Sequence, residues 1–246
     1  MPHRQGWAEV ADGVHVLRHG AVDVSATVVL GPQGAVVVDT TDSPEGASRI
    51  RQHVEHLGRQ VVAVVLTHAH YDHTFGLAGL GAGDSRPLAY AHGRFAAHVD
   101  AVERPELAAG LRGELLHCPP GAWDDVDLTM PTAPVVASVT IAPGGRPLDL
   151  VPLPPAHTTC DVLVHVPDVD LWITGDVVEE SGPPCIEADS DLDGWMRALD
   201  LLLDRSTATS VLVPGHGAPV GRDFLLAQRG VLAQRALNAD GPATRR

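Results

Sequence analysis

The sequence predicts a layered domain of the α/β (α+β) class, and two patterns carry that prediction. Short apolar runs of strand length recur along the chain, and stretches with helical spacing fall between several of them. Strands interspersed with helices are typical of domains in which helices pack on a sheet. The 246 residues are enough to bury a sizeable core, and neither a linker nor a repeat divides them. We therefore expect one domain over residues 1–246.

The expected elements follow from the positions of these runs. Strands are expected at Gly13–Arg18, Ala26–Leu30, Ala35–Asp39, Val61–Thr67, Pro87–Ala91, Val135–Ile141, Leu148–Leu153, Val162–Val166, Leu171–Thr174 and Ser210–Val213. The first helix is expected from Pro44 to about Leu57, because Ser43 is a suitable N-cap and proline is favoured at the first helical position. Further helices are expected at Gly93–Val102, Asp193–Leu203 and Pro219–Leu237.

Charge and cysteine content exclude several kinds of function. The net charge is −14, from 31 acidic against 17 basic residues, and every basic residue is arginine. Without lysine there is no lysine nucleophile or Schiff base. We find no basic patch with interleaved aromatic residues, so nucleic acid is not an expected partner. Cys118, Cys160 and Cys185 are far apart and form no CxxC pair, which argues against a disulfide framework or a zinc ribbon.

The hydropathy pattern indicates where the protein acts. No apolar run approaches the roughly 20 residues of a membrane-spanning helix. Residues 1–9 lack the apolar centre of a signal peptide. We expect a cytoplasmic protein that acts on a small-molecule substrate and has no membrane partner, and the oligomeric state stays open.

The most informative motif is the hexapeptide His68-Ala69-His70-Tyr71-Asp72-His73, in which four side chains are potential metal ligands. It follows the buried strand expected at Val61–Thr67, so its side chains are expected at a rigid edge that a substrate can reach. Residues two apart on an extended chain face the same way, so His68 and His70 can share one ion. Asp72 and His73 are displaced on the following turn and can serve a second ion.

Three further candidate ligands come directly after predicted strands, flanked by small or turn-forming residues. They are His157 in Pro154-Pro155-Ala156-His157-Thr158, Asp176 after Gly175, and His216 in Pro214-Gly215-His216-Gly217. A glycine beside a ligand lets the backbone approach an ion without a side-chain clash.

This order of motifs, HxHxDH, then His, Gly-Asp and Gly-His-Gly, resembles the metallo-β-lactamase-fold hydrolase superfamily. The resemblance covers roughly Val14 to His216 and includes the early strand that ends in Asp39. It implies a four-layer αββα sandwich with metal ions at one edge of the two sheets. It departs from the family pattern Gly-His-Thr-x-Gly-Asp at Ala156 and Cys160, which can shift the loop at His157 without removing a ligand.

The resemblance also implies a ligand set for two ions, in the pattern of the binuclear, glyoxalase II-like branch. His68, His70 and His157 would hold the first ion, Asp72, His73 and His216 the second, and Asp176 would bridge the two. True β-lactamases of the family generally lack such a bridging aspartate.

These ligands suit two Zn²⁺ ions per chain, and iron or manganese suits the same set. The expected reaction is attack on a small carbonyl substrate (an ester, thioester or lactone) by a hydroxide shared between the ions. Asp72 and Asp176 are the expected catalytic residues, and Asp72 can also orient the nucleophile or pass on a proton. Two divalent ions, two aspartates and a hydroxide sum to about +1, which favours a carbonyl oxygen or a substrate carboxylate near the ions.

Other functions stay open. A β-lactam hydrolase is the alternative among hydrolases. A glutathione thioesterase is less expected, because only 30 residues follow His216, where glyoxalase II has a helical glutathione-binding region. Quorum-quenching lactonases carry a tyrosine near the metals, and here only Tyr71 lies within the motif. Outside hydrolysis, persulfide dioxygenases share the fold but bind one iron with fewer ligands.

Two proline- and glycine-rich segments, Cys118–Pro134 and Ser181–Asp193, either form the mouth of the site or connect elements at the surface. Asp39 and Asp161 are expected to brace loops by hydrogen bonding. His92, His98 and His117 lack the setting of a ligand, and Trp123 and Cys185 are possible mouth residues.

Overall fold

The computed structural model describes residues 6–81, 86–108 and 128–239, and within them twelve strands belong to one hydrogen-bonded network. The strands are β1 (Gly6–Ala11), β2 (Val14–His19), β3 (Val24–Gly31), β4 (Gly34–Val38), β5 (Val61–Val65), β6 (Leu88–His92), β7 (Ala133–Val135), β8 (Val139–Ile141), β9 (Leu148–Pro152), β10 (Val162–Val166), β11 (Leu171–Glu179) and β12 (Val211–His216).

The α-helices are α1 (Pro44–His56), α2 (Tyr71–Thr74), α3 (Phe95–His98), α4 (Arg104–Ala108), α5 (Leu192–Arg205) and α6 (Arg222–Ala239). Short 3₁₀ turns lie at Leu77–Leu80 and Pro167–Val169, and a π-helical turn joins α3 to α4. Helix α1 begins as predicted, because the Ser43 hydroxyl accepts a hydrogen bond from Gly46 N at 3.3 Å and Pro44 occupies the first turn. None of the helices in the described part of the chain has the length and apolar character needed to cross a bilayer.

The strand network consists of two halves that meet at one point. The first half runs in the order β7-β6-β5-β4-β3-β2-β1, and the second in the order β12-β11-β10-β9-β8. The halves are joined by a single residue pair, Val24 of β3 and His216 of β12. A sheet held together by so short a pairing can fold over on itself, and the packing shows that it does.

Successive side chains along each strand point to opposite faces of the sheet, and the core is divided into three separate clusters. In β4, Val37 packs with Ile50 of α1, whereas Val36 and Val38 point the opposite way. Val36 and Val38 belong to a middle cluster with residues of β9, β10 and β11 from the second half. On the outer face of the second half, Trp172 of β11 packs against α5 and α6. Three apolar interfaces separate four layers, which confirms the predicted αββα sandwich.

Several predicted boundaries were wrong. The strand expected at Leu171–Thr174 continues to Glu179, so Asp176 lies within β11 and not after it. The strand expected at Val135–Ile141 is divided into β7 and β8, which pair with different neighbours. The helix expected at Gly93–Val102 is broken into two short α-helical segments around the π-helical turn. Strand β1 was not predicted, because it contains no apolar run; half of its six residues are exposed.

Candidate metal centre

The seven predicted ligands come from five separate elements and converge at the edge where the two halves of the sheet meet. His68 and His70 follow β5, and Asp72 and His73 lie on the short helix α2. The other three are placed by the loop after β9, by the middle of β11 and by the last residue of β12; they are His157, Asp176 and His216. All are buried except His216, whose side chain is 13% exposed.

The first group consists of His68, His70, His157 and Asp176, which offer ligand atoms that all lie within 4.8 Å of one another. His157 Nε2 is 3.2 Å from His70 Nδ1 and 3.6 Å from Asp176 Oδ2. His68 Nε2 is 3.8 Å from the same carboxylate oxygen. The structure therefore brings together the side chains predicted to hold the first ion.

The second group consists of Asp72, His73 and His216, whose ligand atoms satisfy the same 4.8 Å limit. His216 Nε2 is 3.4 Å from His73 Nε2 and 3.3 Å from Asp72 Oδ2. Asp176 contacts this group as well, with Oδ1 3.1 Å from His73 Nε2 and Oδ2 3.2 Å from His216 Nε2. Asp176 is thus placed between the two groups, as a bridging ligand requires.

The chemistry of these donors fits metal ions. His68 Nε2 is buried and makes no hydrogen bond within the described residues. Buried polar atoms are normally satisfied, so this nitrogen needs an electrophile such as a cation. Imidazole and carboxylate donors in sets of three and four are what Zn²⁺ takes in catalytic sites, and iron or manganese accepts the same donors.

The electrostatics of the second group favour positive charge. Burial alone would lower the pKa of His73, but the carboxylates of Asp176, Asp39 and Asp72 raise it well above the ordinary value. Burial would likewise lower the pKa of His216, and Asp176 raises it to about 10. In the reverse direction, burial would raise the pKa of Asp176, but His216 and His73 hold it well below the ordinary value. A site that stabilises cationic imidazoles so strongly is also one that stabilises a metal cation.

In the first group the histidine pKa values are shifted in the opposite direction. Burial lowers the pKa of His68 well below its usual value, and the neighbouring His73 lowers it further. Burial also lowers the pKa of His157. These imidazoles are therefore neutral at pH 7, and neutral imidazole is the form that binds metal.

The histidines of the second group are oriented through their other ring nitrogen. His73 Nδ1 lies 2.8 Å from Asp39 Oδ2, and His216 Nδ1 lies 2.8 Å from the carbonyl oxygen of Val22. Both partners are hydrogen-bond acceptors, so in each ring Nδ1 is the donor and Nε2 is directed to the shared centre. Metal-binding histidines are commonly oriented in this way.

The first group is surrounded by acidic side chains. His157 Nδ1 is 3.9 Å from Glu179 Oε1, and His70 Nε2 is 4.0 Å from both Glu187 Oε2 and Asp189 Oδ2. Because the nitrogen of His70 nearest to His157 is Nδ1, we assign Nδ1 as its metal-binding atom and Nε2 as the nitrogen that faces the acids.

Asp39 braces the site as predicted. Its backbone φ is 63°, a left-handed conformation that aspartate and asparagine tolerate better than most residues. Its carboxylate accepts hydrogen bonds from Thr67 N at 2.8 Å and Thr67 Oγ1 at 2.7 Å, in addition to its contact with His73. Asp39 therefore connects the end of β4 to the residue that precedes the metal-binding motif.

We expect Asp39→Ala to weaken binding of the second ion about 10- to 100-fold, because His73 would lose its orienting carboxylate. Asp39→Asn keeps the shape of the side chain and its backbone preference. Its affinity for the second ion should lie between those of Asp39→Ala and the wild type. Titration of the metal-free protein with Zn²⁺, followed by calorimetry, measures both affinities. Equal affinity in all three proteins would contradict this role.

The loop around His157 tolerates the departures at Ala156 and Cys160. Asp161 braces it, because its carboxylate accepts hydrogen bonds from Thr158 N at 2.9 Å and Thr158 Oγ1 at 2.8 Å. Ala156 N donates to Thr158 O at 2.8 Å, and Cys160 is fully buried in the core beneath α1. Burial raises the pKa of the Cys160 thiol, so this cysteine is a packing residue and not a nucleophile.

Gly215 is required by the close approach of its backbone to Asp176. A Cβ atom at this position would lie 1.8 Å from Asp176 Oδ1 and 2.7 Å from the carbonyl carbon of Gly175. The backbone of Gly215 therefore approaches the ligand Asp176 as closely as the sequence predicted for a glycine beside a ligand.

We expect Gly215→Ala to displace the Asp176 carboxylate and to lower the bound metal content. Gly221→Ala is the matched control, since a Cβ atom at Gly221 would meet nothing within 4 Å. Metal analysis of both variants after dialysis should show loss of metal in Gly215→Ala alone. Full occupancy of both sites in Gly215→Ala would show that the carboxylate is not constrained by this contact.

A cavity of about 510 Å³ opens beside five of the seven side chains, namely His70, Asp72, His157, Asp176 and His216. Its walls include Ser181, Gly182, Pro183, Cys185 and Glu187, so the predicted mouth segment Ser181–Asp193 does line the site. The other predicted mouth segment, Cys118–Pro134, lies mostly outside the described residues, as do Trp123 and His117.

Sequence reasoning missed several residues of the site. The β2–β3 turn, Gly20 to Asp23, forms one wall of the cavity, and Glu179 forms another. His98, which was expected to lack a role near the metals, has Nε2 3.6 Å from Asp189 Oδ2 and Nδ1 2.9 Å from Thr159 Oγ1. No local pattern marks these residues, because long-range folding alone brings them to the motif.

Comparisons with known proteins agree with this geometry. The family model of the metallo-beta-lactamase superfamily matches residues 19–216. A metallo-beta-lactamase from Pontibacter korlensis has a similar structure, with a TM-score of 0.73, 20% identity, and coverage of 92% of this chain and 98% of that chain. A metallo-beta-lactamase from Pseudomonas aeruginosa in a mono-zinc form has a TM-score of 0.73, 20% identity, and coverage of 96% of both chains.

A stereoselective inverting sec-alkylsulfatase from Pseudomonas sp. is also similar, with a TM-score of 0.75 and 22% identity. The match covers 96% of this chain but only 43% of that chain. At such identities these likenesses show the fold, whereas the family model matches residues 19–216, a range that spans all seven candidate ligands. The chain therefore belongs to the metallo-beta-lactamase superfamily and is a metal-dependent hydrolase.

Proposed function

We propose that the protein is a binuclear zinc hydrolase that acts on a small carbonyl substrate, namely an ester, a thioester or a lactone. The observation that carries the proposal is the position of Asp176, which lies within 3.8 Å of His68 in the first group and within 3.2 Å of His73 and His216 in the second. A carboxylate between two complete ligand groups is the arrangement expected of a bridging ligand. It supports the glyoxalase II-like binuclear branch.

Two zinc ions fit the donors best. The five imidazoles and two carboxylates match the preference of Zn²⁺ for nitrogen and oxygen ligands, with iron or manganese as the alternatives. When bound, such ions lower the pKa of water toward about 7 and polarise a carbonyl oxygen.

The chain's own residues would orient the reaction around these ions. Asp72 lines the cavity, and burial raises the pKa of its carboxyl group. We assign the Asp72 carboxylate the acceptance of a proton from the attacking water in addition to its ligand role, because it lines the cavity beside His216. Val22 and Pro183 line the cavity with apolar surface and limit access of bulk water to the reacting groups.

Two alternative functions are less well supported. A β-lactam hydrolase shares the fold, and the similar β-lactamases support it, but the bridging position of Asp176 is not typical of that branch. A persulfide dioxygenase would bind one iron with fewer ligands, whereas here Asp72, His73 and His216 form a second complete group.

A panel of thioesters, lactones, simple esters, β-lactams and phosphodiesters tests the proposal. The zinc-loaded protein should hydrolyse at least one of the thioesters, lactones and simple esters. It should lose that activity after dialysis against a chelator and regain it with added Zn²⁺. Oxygenation of a persulfide by protein that contains one iron per chain would overturn the proposal.

A further inference from the structure

We infer that Glu179 is a positioning residue of the metal centre. One oxygen of its carboxylate orients His157 toward the first ion, and the other holds the mouth segment Ser181–Asp193 at Cys185. The inference rests on the proposed binding of an ion by the first group and does not depend on which substrate is hydrolysed.

The evidence for the first contact is a pair of buried atoms that face each other. His157 Nδ1 and Glu179 Oε1 are 3.9 Å apart, and neither makes a hydrogen bond in the part of the chain that the structure describes. Buried polar atoms are normally hydrogen-bonded. A rotation of either side chain that brings the two atoms closer by about 1 Å makes a hydrogen bond of ordinary length.

The direction of this hydrogen bond follows from the ring of His157. Its Nε2 faces the first group, 3.2 Å from His70 Nδ1 and 3.6 Å from Asp176 Oδ2. A ring nitrogen that binds a metal ion carries no proton, so the neutral ring then carries its proton on Nδ1. Glu179 Oε1 is placed to accept this proton's hydrogen bond, and it thereby favours the tautomer in which Nε2 can bind the ion.

The second oxygen of the carboxylate has a different partner. Glu179 Oε2 accepts a hydrogen bond from Cys185 N at 2.9 Å, and Cys185 lines the cavity. Asp39 shows the same combination at the second group, since its two oxygens contact His73 Nδ1 and Thr67 N, each at 2.8 Å. Glu179 is therefore placed to do for the first group what Asp39 does for the second.

The backbone of Glu179 is held rigidly enough for this role. Glu179 is the last residue of β11, and its backbone N donates a hydrogen bond to Gln228 Oε1 of α6 at 3.1 Å. Gln228 is buried, and its Nε2 donates to Val177 O at 2.8 Å. A side chain that orients a ligand works best when its own support is fixed in this way.

Glu179→Gln tests the two-sided role, because an amide keeps the shape of the side chain but has a single acceptor oxygen. Its NH₂ group would face either the Nδ1–H of His157 or the N–H of Cys185, and both are donors. The variant should therefore bind the first ion about 10- to 100-fold more weakly.

Glu180→Gln is the matched control. It removes the same charge one residue further along the chain, and its amide oxygen can still accept the hydrogen bond that Ala218 N donates to Glu180 Oε2 at 2.8 Å. This variant should keep the affinity of the wild type for the first ion.

The measurement is a Zn²⁺ titration of metal-free protein with ¹⁵N-labelled histidine, followed by long-range ¹H–¹⁵N correlation spectra. The signals of His157 are assigned by their absence from His157→Asn. They report occupancy of the first group specifically, and the Nδ1 proton of the zinc-loaded wild type should be shifted downfield by its hydrogen bond and should move upfield in Glu179→Gln. Burial and the carboxylate of Asp176 raise the pKa of Glu179 to about 8, so the titrations are run at about pH 9, where its carboxyl group is largely ionised.

The contact with the mouth segment has its own measurement. Hydrogen exchange at the Cys185 amide should lose protection in Glu179→Ala, which offers no acceptor, and should keep it in Glu180→Gln. Unchanged affinity for the first ion in Glu179→Gln, an unmoved Nδ1 proton signal, or an equal loss of affinity in Glu180→Gln would overturn the inference. A wild type whose His157 signals do not respond to Zn²⁺ would instead refute binding of an ion by the first group, and with it the proposed function.

Discussion

Replacing Asp176 with alanine should lower kcat/KM by about 10³-fold or more. This factor corresponds to a loss of about 4 kcal/mol of transition-state stabilisation. The carboxylate contacts His68 and His157 of the first group and His73 and His216 of the second. Its removal therefore weakens both ion sites at once.

A second variant separates the loss of a ligand from the loss of folding. Asp176→Asn keeps the volume of the side chain but removes the negative charge that raises the pKa values of His73 and His216. It should fold like the wild type by circular dichroism and still lose most activity on the best substrate of the panel. Turnover within a few-fold of the wild type in both variants would refute the assignment of Asp176.

Replacing Trp195 with alanine should destabilise the protein by about 3–5 kcal/mol, as other large-to-small changes at fully buried aromatic residues do. Trp195 is 0% exposed and belongs to the cluster between the second half of the sheet and helices α5 and α6. Its ring lies edge-on to His157 with centroids 4.9 Å apart, and Nε1 donates a hydrogen bond to Val177 O at 2.8 Å. The variant should also bind the first ion more weakly, because the ring holds His157 in place.

For a chain of this size such a loss lowers Tm by about 10 °C, since each kcal/mol corresponds to about 2–4 °C. Thermal unfolding followed by circular dichroism measures the shift. Trp195→Phe is the matched control. It keeps an aromatic ring beside His157, and Val177 O still accepts a hydrogen bond from Gln228 Nε2 at 2.8 Å. A similar Tm for Trp195→Ala and wild type would show that this cluster does not stabilise the fold.

Features that depend on local spacing could be predicted from the sequence. The alternation of β4, the capping of α1 by Ser43 and the placement of His68 and His70 after a buried strand are all short-range patterns. The bracing role of Asp39 also followed from its place at the end of a strand. The partners of Asp39, Thr67 and His73, lie 28 and 34 residues away, so the structure was needed to identify them.

Features that depend on long-range contacts could not be predicted from the sequence. The end of β11 was placed too early because glycine and aspartate normally terminate strands. In the structure Gly175 adopts a φ of 52°, and the pairing with β12 shifts register there and continues to Glu179. Glu179 at the end of β11 approaches His157, and Asp189 beyond that strand approaches His70; no spacing in the sequence encodes these two contacts.

The metal content of the purified protein tests the central claim most directly. Inductively coupled plasma mass spectrometry of the wild type, dialysed against metal-free buffer after zinc loading, should give two zinc ions per chain, and Asp176→Ala prepared in parallel should give fewer. A wild type that retains one ion or none under these conditions, or an Asp176→Ala variant that retains two, would contradict a binuclear centre bridged by Asp176.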